Sequence, residues 1–231
     1  MKLKNERKGL MKFCGVDDCL RPVLQKPFVN KNFNDEVWAS DGHLLMIVQN
    51  GICRCKYHEE SEKFNKRIPV KPVNCNSIVK LKDIEEACSR FKLEKEYKKV
   101  GKEKKCPECH GKGVVTWHYK GYDLEDDCPV CDGYGLIDDD CWVETGNMIL
   151  PRESFLRIDG TVFNARIIVK AVEGLRLLGF EQITHTVSVD NVANMFRVAD
   201  GVDLLIMPMC MSSMHGDEHI EEVLTTEVQE L

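Results

Sequence analysis

The sequence has no long apolar run, no surplus of positive charge and no recognisable catalytic signature. Its longest apolar stretches, such as Leu204–Met209, fall far short of the roughly 20 residues that a membrane span needs. The N-terminal MKLKNERKGLMK is basic but lacks the apolar centre of a secretory signal, so the chain reads as cytoplasmic. GxxxxGKS/T, HExxH and GxSxG are all missing, which removes the common phosphate-loop, metalloprotease and serine-hydrolase chemistries. The chain therefore reads as non-enzymatic. A formal net charge of −6 does not advertise a polyanion binder. No Gly/Ser- or Pro-rich linker divides the chain.

What is present suits a globular protein with a sizeable core: 231 residues, 43% of them apolar and 30% charged. Twelve cysteines would be many for a chain without a secretory signal if all were free. Eight-residue copies account for four of them: CPECHGKG at 106–113 and CPVCDGYG at 128–135 repeat Cys-Pro-x-Cys-x-Gly-x-Gly. A tetrahedral zinc site takes four soft ligands, and each Cys-x-x-Cys turn presents two thiolates to one ion. Cys106, Cys109, Cys128 and Cys131 thus predict one structural Zn2+ clipping a two-stranded hairpin. Four thiolates leave no open coordination position, which argues against a catalytic metal. Cys14, Cys19, Cys75, Cys88, Cys141 and Cys210 read mostly as small core residues. His110 and His118 read as exposed hairpin residues.

Charge is unevenly placed. Residues 92–105 carry seven lysines and three glutamates, and residues 123–140 carry eight acids and no base. Such blocks suit solvated surface, and the lysine edge also suits phosphate contact. Three helices are expected. The first runs over about Glu6–Leu20, and the second over about Leu81–Tyr97, where Leu81, Ile84, Cys88 and Phe91 form a stripe. The third is capped by Asn164 and closed by Gly179, with Ile167, Ile168, Ala171, Val172, Leu175 and Leu178 on one face. EVWASDGHLLMIVQ (36–49) reads as two strands about an Asp41-Gly42 turn. ITHTVSV (183–189), MFRVAD and VDLLIMPM read as a meander.

The order is helix and meander, a metal-bearing insertion, then helix and meander again. The corresponding segments are 1–75, an insertion at 76–140 that includes the second helix, 141–211, and an acidic tail at 212–231. Each Cys repeat resembles the CxxCxGxG units of the cysteine-rich domain of J-domain co-chaperones, over about 30 residues. VWASDGHLLMIV (37–48) is similar to the "ATDGHRLA" signature of the bacterial DNA polymerase sliding clamp, the β subunit. VFNARIIVKAVEGLRLLG (162–179) resembles that family's "FN-x-x-YL" helix, and LLIMPMCM (204–211) its "VVMPMRL" strand. Two arginines of those family signatures are Leu44 and Cys210 here.

The resemblance implies an α+β fold: a single DNA-clamp-like domain of two helix-plus-meander halves, with an inserted zinc-binding hairpin. It further implies a non-enzymatic accessory of DNA replication, repair or mobile-element maintenance. Its partners would be DNA, without sequence preference, and replication or repair proteins, with either a ring-like homo-oligomer or simple one-sided contact on the duplex. Candidate phosphate contacts are Lys8, Lys12, Arg166, Lys170 and Arg176 on the helices and Lys99, Lys102, Lys104 and Lys105 beside the repeat. The alternative is a protein-interaction adaptor without DNA binding, in which Trp117, Tyr119 and Tyr122 on the hairpin dock a partner. A third reading, a metalloenzyme, would use the Cys210, His215 and His219 string.

Overall fold

The computed structural model describes residues 2–15, 21–33, 36–60, 77–101, 103–137, 141–187, 193–209 and 219–227. Lys102, Cys19, Cys75, Cys210, His215 and the Asp138-Asp139-Asp140 run lie outside them. The chain divides into two compact units, one of Met1–Lys92 with Leu150–Leu231 and one of Leu93–Ile149. In chain order the first unit begins with α1 (Glu6–Met11), β1 (Phe28–Asn30), β2 (Glu36–Ser40), β3 (Leu44–Val48), β4 (His58–Glu60), β5 (Ser77–Lys80) and α2 (Leu81–Ser89). The second unit holds β6 (Glu94–Lys99), β7 (Lys104–Lys105), β8 (Val114–Tyr119), β9 (Tyr122–Asp127), β10 (Leu136–Ile137) and β11 (Trp142–Ile149). The first unit resumes with β12 (Phe155–Ile158), β13 (Thr161–Asn164), α3 (Ala165–Leu178) and β14 (Gln182–Val187). It ends with β15 (Asn194–Ala199), β16 (Val202–Ile206), β17 (Ile220–Glu222) and β18 (Thr226–Glu227).

The protein is thus α+β. A nine-stranded sheet in the order β18-β5-β14-β15-β16-β3-β2-β1-β4 organises the first unit, beside a three-stranded sheet β13-β12-β17. The two meanders join where β16 pairs antiparallel with β3, from Val202 opposite Val48 to Ile206 opposite Leu44. That seam carries Leu44, Met46, Val48, Val202, Leu204 and Ile206, all buried, so alternation on both strands feeds one core. Ile183 and His185 of β14 are buried and Thr184 and Thr186 half-exposed, as the alternation predicts.

Helix α3 forms where its caps dictate. The Asn164 side chain accepts from Arg166 N–H, and Gly179 adopts φ 94°, while Phe180 N–H returns to Leu175 C=O at 3.0 Å. Ile168, Ala171, Val172, Leu175 and Leu178 are buried in the main core. Helix α1 crosses it closely: a methyl at Gly9 would lie 2.6 Å from Leu178 Cδ2, and one at Gly174 2.4 Å from the Phe13 ring.

Two helices are shorter than the periodicity predicts. The first ends at Met11 rather than about Leu20, where 16–20 lie outside the described residues. The second ends at Ser89, not Tyr97. Leu81, Ile84 and Ala87 are buried in the first unit's core, and no apolar position after Phe91 continues the stripe. Residues 94–99 instead pair with β11, fifty residues downstream. No described helix is long and apolar enough to cross a membrane.

Candidate functional site

The second unit is built around the cysteine repeat. Each copy turns back on itself through left-handed backbone, with φ 52° at His110 and 47° at Asp132. The copies lock reciprocally: Cys106 N–H donates to Gly135 C=O at 2.9 Å, and Cys128 N–H to Gly113 C=O at 2.8 Å. Within each copy the last glycine N–H points at sulfur, Gly113 to Cys109 Sγ at 3.2 Å and Gly135 to Cys131 Sγ at 3.1 Å. Glycine is demanded at 113 twice over. Its φ is 81°, and a Cβ would sit 2.3 Å from Gly133 O.

All four thiols are buried, and their Sγ atoms lie within 4.8 Å of one another. Cys106 to Cys128 is 3.8 Å and Cys109 to Cys131 is 3.7 Å. A tetrahedron of sulfurs about 2.3 Å from a central ion has edges of about 3.8 Å, so this donor set can hold a metal ion. Burial raises the Cys109 thiol, but the Gly113 and Gly111 N–H groups outweigh it and bring it to about 7. Burial wins at Cys131, pushed up to about 12 despite the Gly135 N–H. Preformed N–H···S bonds favour thiolate, the form a cation needs.

The rest of the unit is thin. β8 and β9 form a two-stranded ribbon, β6 pairs with β11 and β7 with β10. Trp117, Tyr119 and Tyr122 are exposed, as the sequence predicts, and so is Leu124. The ribbon register places Trp117 opposite Leu124 and Tyr119 opposite Tyr122. Leu124 was not legible as a site residue because only the pairing puts it beside Trp117. His118 and Asp123, opposite each other on the other face, are hydrogen-bonded. Lys99 on β6 opposes Trp142, and Lys104 and Lys105 lie exposed on β7. Cys141, expected in a core, is exposed, as is nearly all of β11, which it precedes. Cys14 is buried and Cys88 half-buried.

In the first unit the three distant clamp-like segments meet. Ser40 Oγ donates to Leu44 C=O at 2.6 Å and accepts from Gly42 N–H at 3.1 Å. Asp41 Oδ1 accepts from His43 N–H at 2.9 Å and Leu44 N–H at 2.8 Å. Its Oδ2 binds Lys170 Nζ of α3 at 2.5 Å, and Lys170 also reaches Cys14 C=O at 3.0 Å. Met207 N–H donates to His43 C=O at 3.0 Å, and Met209 N–H to Val162 C=O at 2.8 Å. The SDGH turn, the FN helix and the MPM segment therefore form one connected patch. Burial would raise the Asp41 carboxyl; the Lys170 ammonium and the Leu44 and His43 N–H groups outweigh it and hold it below the usual range.

The helix cations are largely engaged. Lys12 pairs with Glu173, Lys170 with Asp41, and Arg176 with Glu85 and Glu181. Arg166 Nε donates to Leu150 C=O at 2.5 Å. Lys8 is exposed on α1. Among the described residues the four cysteines are the single group of His, Cys, Asp and Glu side chains close enough to share a metal, and His219 is exposed.

Glu6 was not legible as a site residue. It is a buried carboxylate at the start of α1 that accepts from Arg54 N–H at 2.8 Å, Cys55 N–H at 3.0 Å and Tyr57 OH at 2.8 Å. Burial opposes its charge, but these donors prevail and hold its carboxyl low. His185, fully buried and stacked on Phe196, lies between Asp159 Oδ2 at 2.8 Å and Asn194 Oδ1 at 3.0 Å, a satisfied core histidine.

No family model matches the chain, and no curated protein matches it. Among solved structures the chain is similar to bacterial DNA polymerase sliding clamps. For the β sliding clamp of C. crescentus the identity is 12% and the TM-score 0.43, over 89% of this chain and 63% of that one. The clamp of Pseudomonas aeruginosa gives 11% and 0.37, over 90% and 65%. That of Bacillus subtilis gives 12% and 0.36, over 90% and 63%. The chain spans less than two thirds of these clamps' length.

Proposed function

We propose that the chain is a non-enzymatic, clamp-like accessory protein of DNA replication, repair or mobile-element maintenance, carrying an arm folded by one structural zinc ion. One observation carries the clamp half of this reading. The SDGH turn, the FN helix and the MPM segment, each clamp-like in sequence and separated by more than a hundred residues at the extremes, are hydrogen-bonded into a single patch. The zinc half is supported by the four converging thiols and their tetrahedral spacing. When bound, the ion supplies folding energy to an arm with little apolar core of its own.

A single clamp-like domain would not encircle a duplex on its own. The reading therefore requires either a ring of several copies or one-sided contact through Lys8 and the lysines at 99, 104 and 105, with salt-sensitive, sequence-independent affinity. Light scattering of the zinc-loaded chain, with and without duplex DNA, combined with anisotropy of labelled duplex at low and moderate salt, tests it. Salt-sensitive binding by a closed oligomer or a monomer supports the reading. No binding at low salt removes its DNA part.

A second reading, a protein-interaction adaptor without DNA binding, is favoured by the engagement of the helix cations with Glu173, Asp41, Glu85 and Glu181. A phosphate would have to displace a carboxylate already in place at each of these cations.

A further inference from the structure

The β8–β9 ribbon is two-faced. Opposed residues in an antiparallel pair share a face and successive residues alternate between faces. Trp117 with Leu124 and Tyr119 with Tyr122 therefore line one side, with Asp126 opposite Val115 at its base. Thr116 with Glu125, His118 with Asp123, and Val114 with Asp127 line the other. The first side is 55% exposed at Trp117, 69% at Tyr119, 78% at Tyr122 and 64% at Leu124. Four large apolar side chains displayed together on a soluble ribbon are what interaction surfaces look like, and Trp and Tyr dominate binding energetics at such surfaces.

The charge around this face selects its occupant. Residues 114–127 carry Asp123, Glu125, Asp126 and Asp127 against Lys120 and His118, the latter hydrogen-bonded to Asp123. A nucleic-acid strand could stack on the rings, but it would bring phosphates against Asp126 on this face, with Asp123, Glu125 and Asp127 on the opposite face adding to the ribbon's negative charge. A cationic chain meets the opposite situation: aromatic faces that attract ammonium and guanidinium groups, and Asp126 at the base of the same face. The ribbon already shows the first of these contacts, because its own Lys120 Nζ lies 5.3 Å from the centre of the Tyr119 ring.

We propose that the Trp117–Tyr119–Tyr122–Leu124 face is a docking site for a cationic polypeptide segment with interspersed apolar residues. Apolar side chains of that segment cover Leu124 and the edge of Trp117. Its Lys or Arg side chains displace Lys120 from Tyr119 and pair with Asp126. The inference deepens the adaptor reading by naming the partner's chemistry, and it does not depend on whether the first unit contacts DNA.

The test uses the full zinc-loaded chain and three fluorescein-labelled probes followed by anisotropy: an alternating Arg–Leu peptide, an alternating Glu–Leu peptide of equal length, and a single-stranded oligo-dT. The Arg–Leu peptide should bind best. Trp117→Ala combined with Tyr122→Ser should weaken it about tenfold or more, the scale of an interface anchor. Asp126→Asn should weaken it about threefold and flatten its salt dependence. These side chains are exposed, so zinc content and melting temperature should be unchanged, which separates lost docking from a lost fold. Stronger binding of Glu–Leu, abolished by the Trp117 and Tyr122 changes, would keep the adaptor surface and overturn the cationic partner. Stronger oligo-dT binding would replace a protein partner by nucleic acid. If the changes at 117 and 122 alter none of the three, both the inference and the adaptor reading fail.

Discussion

Asp41 and Lys170, 129 residues apart, hold the clamp-like patch together, and the structure gives the size of their contribution. Asp41 accepts two backbone N–H bonds at 2.8 and 2.9 Å and one ammonium. Hydrogen bonds to a charged group contribute about 1.5–3 kcal/mol each. The Lys170 side chain is 31% exposed and that of Asp41 13%, so the ion pair lies between the surface and buried cases, about 1–2 kcal/mol. Asp41→Ala removes all three contacts and leaves two N–H groups to find water, a cost of about 4 kcal/mol or more. Lys170→Met leaves Asp41 its two backbone donors, at about 1–2 kcal/mol. The double variant should cost less than the sum of the singles by about 1 kcal/mol, the coupling of the pair.

Trp38 provides the readout. It is buried on β2, three residues before Asp41, whereas Trp117 and Trp142 are exposed in the second unit. In a Trp117→Phe, Trp142→Phe background, urea unfolding followed by Trp38 fluorescence reports on the first unit alone. The pH dependence has a defined sign. The folded Asp41 carboxyl is held below its ordinary value, so its contribution is fully present above the unfolded pKa and is lost as pH falls through the folded one. Asp41→Asn, which retains an oxygen for the turn, should remove that acid-dependent component while preserving part of the stability at neutral pH. Additive costs at 41 and 170, or an acid profile unchanged by Asp41→Asn, would refute the patch as an energetic unit.

Gly113→Ala should speed zinc loss to a chromophoric chelator about tenfold or more, because its Cβ would sit 2.3 Å from Gly133 O; Gly121→Ala, with nothing within 4 Å at φ 85°, should cost only the roughly 1–2 kcal/mol of left-handed strain and leave zinc retention unchanged. Zinc retention by the wild type should fall as pH falls, because protons compete for the thiolates, and elemental analysis should give one zinc per chain, lost in Cys106→Ser. Glu6→Gln should destabilise the first unit by about 2 kcal/mol in urea unfolding; its carboxyl is held low by Arg54, Cys55 and Tyr57, so the loss is full above the ordinary carboxylate range and vanishes as pH falls through the folded value.

The features that were legible in the sequence are those whose physical cause is local. Helix α3 carries its caps, Asn164 and Gly179, and its apolar stripe within sixteen residues. The 36–49 hairpin is announced by alternation and by Asp41-Gly42, and both of its strands form where expected. The thiol cluster needs only a spacing repeated twice, because each Cys-x-x-Cys turn and its glycines are a self-contained local structure. Where the cause lies elsewhere in the chain, the same reading falters. The helix expected to Tyr97 stops at Ser89 because β11, fifty residues on, supplies the backbone partners that turn 94–99 into a strand. Cys141 reads as a core thiol by residue type, yet it leads into β11, which is exposed along nearly its whole length.

The cations on the helices illustrate the same division and carry it into function. Lys12, Lys170 and Arg176 form a basic surface when read along the chain, since each stands on a helix with no acid spaced to neutralise it by helical periodicity except Glu173 on α3 itself. Folding brings Glu173 to Lys12, Asp41 to Lys170, and Glu85 to Arg176 across 161, 129 and 91 residues. The consequence is a shift in where unneutralised chemistry is to be sought. Lys12, Lys170 and Arg176, all candidate phosphate contacts, thereby also fasten α1, α2, α3 and the SDGH turn to one another. The ribbon displays large aromatic side chains whose exposure follows from a register that no local pattern encodes. Binding measurements on this protein should therefore begin with the ribbon, and the DNA titrations should be read against the paired state of the helix cations.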